Sequence, residues 1–150
     1  MKRKYFTWLG LLAGLNACTP APESGTHPVR LEGVWEGQNC YSVETNGAGR
    51  RVFARTDRYL VGQLVCEITP TEVRHYQDGR AQVRARYTRT PGGFWLAQGR
   101  GMGAIQVPGD SVEVVIEELT ATRLVVQQAL PSSDTTTLTT TITYTRKAIP

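Results

Sequence analysis

The side chains able to do chemistry in this 150-residue chain are few and scattered. His75 stands in a β-prone stretch, with no cysteine or acidic partner at metal-ligand spacing, so no zinc site is expected. His27 lies in a proline-rich segment and is expected to be solvated. No G-x-S-x-G elbow offers His75 a serine nucleophile. Glu117 and Glu118 are adjacent, and neighbours in a strand point to opposite faces, so they cannot act as an acid–base pair. Gly99-Arg100-Gly101-Met102-Gly103 is glycine-rich, yet no helix follows whose N-terminus could hold a phosphate. These features predict no catalytic group, metal or cofactor, and a protein that is not an enzyme.

That leaves three cysteines, Cys18, Cys40 and Cys66. Cys18 has the most telling surroundings. Lys2-Arg3-Lys4 is a positive cluster, and residues 5–15 form an apolar stretch. At about 1.5 Å per residue that stretch spans ~17 Å, against the ~30 Å of a bilayer core. It is too short to cross, and it has the form of an export signal. Leu15-Asn16-Ala17-Cys18 resembles the lipobox of bacterial lipoproteins. The resemblance implies that residues 1–17 are a signal peptide, that the Cys18 sulfur carries a diacylglyceryl thioether, and that cleavage falls before Cys18. The thiolate is the nucleophile this attachment needs. Two or three acyl chains hold a protein to a membrane durably. Thr19, rather than aspartate, follows the cysteine, which by the same resemblance implies the outer membrane of a bacterial cell envelope. Residues 18–30 then form the lipidated cysteine and a tether with three prolines, reaching ~40 Å at most. With Cys18 spent, Cys40 and Cys66 remain as an even pair in an exported protein. They are expected to form a disulfide worth about 3.5 kcal/mol in the chain-entropy model; the alternative is two buried free thiols.

Removal of the leader also changes the charge. The full chain has 17 Lys and Arg against 13 Asp and Glu, a formal charge of +4. Three of those bases lie in the leader, so the mature chain is nearly neutral. Nothing then favours a nucleic-acid partner. Outward-facing Arg74, Arg84 and Arg86 are expected to pair with Glu67 and Glu72 on a solvated face; the alternative is a basic patch for anionic lipids or polysaccharide.

The elements that position these residues are strands. From residue 31 to 149 apolar residues alternate, Thr, Val, Tyr and Trp are frequent, and Gly, Pro, Asn and Asp recur at short intervals. Strands are predicted over 32–43, 51–55, 59–68, 72–77, 81–89, 94–98, 112–119, 123–130 and 137–147. Asp78-Gly79 predicts a type I′ hairpin. A period of two places Leu138, Ile142 and Tyr144 inside and Thr139, Thr141, Thr143 and Thr145 outside. In 81–89 the inward set is Ala81, Val83, Ala85 and Tyr87. Short strands at regular spacing with little or no helix indicate an all-β barrel or sandwich.

Leu31-Glu32-Gly33-Val34-Trp35 resembles the G-x-W opening strand of lipocalins. The run 116–126 and Thr143-Tyr144-Thr145-Arg146 are similar to the end of lipocalin-like domains in small bacterial lipoproteins. The resemblance implies an antiparallel up-and-down eight-stranded barrel over residues 31–150. It also implies a closed end where Arg146 lies over Trp35, with Gly33 beside them. A small apolar or amphipathic ligand is expected inside, against Val83, Tyr87, Leu124, Val126, Leu138 and Tyr144. The alternative is a protein-interaction module, such as an enzyme inhibitor or envelope assembly accessory, acting through the loop 99–109.

Overall fold

A computed structural model describes residues 29–97 and 111–148. The expected signal peptide, Cys18, the tether up to residue 28 and the loop 99–109 lie outside the described residues. The described residues hold no helix and nine strands. These are β1 (Gly33–Asn46), β2 (Arg51–Arg58), β3 (Leu64–Ile68), β4 (Glu72–Gln77), β5 (Arg80–Thr90), β6 (Gly93–Ala97), β7 (Val112–Leu119), β8 (Arg123–Ser133) and β9 (Thr136–Arg146).

Eight of them, β1 and β3 to β9, close an antiparallel barrel. From β3 onward each pairs with the next in chain order, and β9 returns to pair with β1. Closure removes the unpaired edges that an open sheet would present. The exception is β2, which lies outside the ring. The start of β1 pairs with β3 through Gly33↔Ile68 to Glu36↔Val65, while its later part pairs with β2 through Asn39↔Arg58 to Thr45↔Arg51. The upper part of β1 therefore forms, with β2, an arm that continues beyond β3. The other flank of β1 is held by β9 along almost its whole length.

Alternation explains most of the core. Leu64, Cys66 and Ile68 of β3 are buried, as are Val73 and His75 of β4 and Val83, Ala85 and Tyr87 of β5. Asp78 and Gly79 both have positive φ, 50° and 74°, as a type I′ turn between β4 and β5 requires. Ala81, expected inward, is exposed. A register shift between His75 and Tyr76 breaks the alternation opposite it. The expected strand over 59–68 is shorter. Residues 60–63 turn instead, with Gln63 N donating to Leu60 O at 2.9 Å and Gly62 at φ 76°.

A second irregularity, between Gly37 and Asn39, sits in β1. Trp35 and Gly37 face inward before it, and Cys40 faces inward after it. The extra residue resets the facing pattern of the strand. Gly37 itself has no room for a side chain, because a Cβ there would lie 2.6 Å from Leu64 Cδ2.

Candidate functional site

Two places combine chemistry with burial: the end of the barrel where the chain comes in, and the barrel centre. At the first, Trp35 is fully buried, and its indole N–H donates to Leu31 O at 2.8 Å. Trp35 and Arg146 are register partners on β1 and β9. The guanidinium carbon of Arg146 lies 4.1 Å from the Trp35 ring centroid, a cation–π contact of about 1–2 kcal/mol. The same guanidinium donates to three carbonyls: Ala121 O at 2.8 Å, Glu32 O at 3.0 Å, and Arg30 O. Gly33 makes this possible. Its φ of 146° suits glycine, and a Cβ at that position would lie 2.5 Å from Arg146 Nη1. Gly33, Trp35 and Arg146 thus meet at one end of the barrel.

At the centre, Leu124, Val126 and Tyr144 line a cavity with Cys66, Val73 and His75. Its volume is about 10 Å³. A single water needs about that much, whereas small-molecule pockets hold roughly 300–1,000 Å³. Val83 is buried elsewhere in the core. Tyr87 packs edge-on against Phe94, with centroids 5.5 Å apart, and its hydroxyl donates to Thr69 O at 2.9 Å. Leu138 is only partly buried and stands apart from the core cluster. It pairs with Leu130 and Glu44, where β1, β8 and β9 extend past the shorter strands. Of the six residues expected to line a ligand, five pack as core and Leu138 does not.

His75 is the polar group at this centre. It is buried, and the Tyr144 hydroxyl lies 3.5 Å from its Nε2. Burial without a counter-charge pushes its pKa down to about 4, so the ring is neutral near pH 7. Burial also raises the hydroxyl of Tyr144 well above the ordinary range, with smaller pushes from Cys66, Cys40 and Tyr59. Alternation with Val73 was the sequence signal for His75 inside. Gln128 and Thr140, register partners on β8 and β9, are also buried, and Gln128 Oε1 has no hydrogen-bond partner. Their parity with Val126 and Ile142 carried that signal.

The expected disulfide is not formed. Cys40 and Cys66 are buried free thiols. Cys66 sits opposite Trp35, and Cys40 lies further along β1, opposite Asp57 and Ile142. The offset is about 15 Å of strand, well beyond the ~7 Å Cα separation a bridge can span. Burial pushes the Cys66 thiol far up and raises that of Cys40 less.

Outside, Arg74 and Arg84 meet Glu72 at 3.0 and 2.9 Å, and Arg74 also reaches Glu67 at 3.6 Å. Arg84 is bidentate, with Nε on Glu72 Oε2 at 3.1 Å. Arg86 is exposed on the same face and is not part of these ion pairs. Among the described residues no three His, Cys, Asp or Glu side chains gather where a metal ion could be held. No family model matches the chain, and no curated protein matches it.

Proposed function

We propose that this is a lipoprotein of the bacterial outer membrane, anchored through Cys18, whose barrel serves as a rigid recognition module for another protein. It carries out no catalysis of its own. The supporting observation is the filled centre of the barrel. A cavity of about 10 Å³ cannot enclose a lipid or a drug-sized ligand, so the side chains there hold the shape of the wall. The anchor reading is supported by the charged start, the short apolar run and the L-N-A-C sequence together.

Native mass spectrometry of the protein extracted from membranes tests both parts. The expected spectrum shows the chain from Cys18 onward, heavier by its acyl groups, with no further small molecule bound. A stoichiometric co-purified lipid that survives removal of detergent overturns the recognition reading in favour of ligand binding. A chain recovered with an unmodified Cys18 overturns the anchor.

A further inference from the structure

The most distinctive surface of the molecule is the arm outside the barrel. Because β2 is the terminal strand of the sheet, only one of its flanks is paired. The direction of each main-chain group follows from the register. Tyr59 N donates to Gln38 O at 3.0 Å, and the pairing continues without a shift from Asn39↔Arg58 to Glu44↔Phe53. In an antiparallel pair, alternate residues exchange both hydrogen bonds with the partner strand and the intervening ones point away. Asp57, Arg55 and Phe53 therefore turn their N–H and C=O groups toward β1. Arg58, Thr56 and Ala54 turn theirs outward, and no main-chain partner takes them among the described residues.

The side chains around this edge say what fits it. Residues 50–58 carry four arginines, Arg50, Arg51, Arg55 and Arg58, against one acid, Asp57. That acid is already taken by Arg55 at 2.6 Å. The local excess of positive charge contrasts with a nearly neutral mature chain. Apolar surface lies between the charges: Val52 is 62% exposed, Phe53 48% and Tyr41 41%. A second copy of this chain is a poor occupant, because edge-to-edge pairing brings together two strands that each carry four arginines against one acid. The membrane that holds the anchor is also a poor occupant. Its headgroups offer no extended main chain to pair with the outward N–H and C=O groups of Ala54, Thr56 and Arg58.

We propose that the outer edge of β2 binds an acidic, extended segment of a partner protein as an added strand. Main-chain hydrogen bonds to Ala54, Thr56 and Arg58 supply the affinity. The arginines select acidic side chains, and Val52, Phe53 and Tyr41 cover apolar ones. This rests on the recognition reading above and names its surface.

The test adds to the full chain, in detergent, a Thr-, Val- and Glu-rich peptide of about ten residues. Amide hydrogen exchange is followed by mass spectrometry. The expected result is added protection at Ala54, Thr56 and Arg58, and no binding when alternate peptide nitrogens are methylated. Ala54→Pro removes one outward donor while leaving the β1 ladder intact, and it should weaken binding about ten-fold. Arg55→Glu with Arg58→Glu should reverse the preference to a Lys-rich peptide. Equal binding of the methylated peptide, binding only to anionic vesicles, pairing of two copies of this chain, or no binding at all each overturns the proposal. Failure here leaves the recognition reading standing if no lipid co-purifies, so the two can fail separately.

Discussion

His75 shows how a side chain's surroundings become a property of the protein. Its imidazole is held neutral by burial, with a pKa near 4 against an ordinary 6.5. As pH falls below 6.5 the unfolded chain takes up a proton that the folded one refuses. Stability from this group is therefore complete above about 6.5, falls between 6.5 and 4, and is flat below. The span corresponds to about 3 kcal/mol. Thermal melts should show a lower midpoint at pH 4.5 than at pH 7, and His75→Gln should remove most of that difference. An identical pH dependence in the variant would show that His75 is not the source. The thiols give a second prediction. Denatured without reductant, the protein should take up alkylating reagent at both Cys40 and Cys66, while the native protein reacts slowly. Intact mass reads the number of adducts, and a bridged pair would take none. The sequence made the cysteines look like a pair because their count is even after Cys18. It could not show that Cys66 sits opposite Trp35 while Cys40 sits well along the same strand.

At the level of strands, what the sequence revealed was the period of two. The strands β4, β7 and most of β8 fall where alternation and turn residues predicted them, and Asp78-Gly79 predicted its turn. Irregularities were not visible. The bulge in β1 brings Cys40 inside, and the shift between His75 and Tyr76 leaves Ala81 outside, because one extra residue inverts the facing of all that follows. Nor did any pattern reveal that β2 lies outside the ring. In the structure its side chains are exposed at almost every position and one flank alone is paired, which sets it apart from the wall strands. Of the candidate site, the meeting of Gly33, Trp35 and Arg146 was reachable through resemblance and parity, whereas the filled centre depends on how side-chain volumes fit together. Gly93 tests the packing of strand on strand. A Cβ there would lie 2.0 Å from Val114 O, so the backbone of β7 would have to move. Gly93→Ala should cost about 3 kcal/mol or more, seen as a fall in the denaturant midpoint, while Gly92→Ala, with open space at its Cβ, should cost little.

For the molecule as a whole, closure is the decisive event. It joins β1 to β9, and it brings together residues as far apart in sequence as Glu44 and Thr136, whose hydroxyl donates to the Glu44 carboxylate at 2.6 Å. Such contacts form only after a long stretch of chain has been ordered, so folding should be slow for the size of the domain. Removing residues 136–150 should leave no stable barrel, with loss of the β signal in circular dichroism. A truncated chain that melts cooperatively would show that β1 and β8 can manage without β9. The clasp at Arg146 has a mechanical consequence. One guanidinium grips the carbonyls of Arg30, Glu32 and Ala121, and Lys147 N donates to Val34 O at 2.8 Å. A pull on the chain ahead of Val29 therefore does not begin by peeling β1 away bond by bond. The load passes first through the arginine into the far end of β9, and several bonds must give way together before the first strand can come loose.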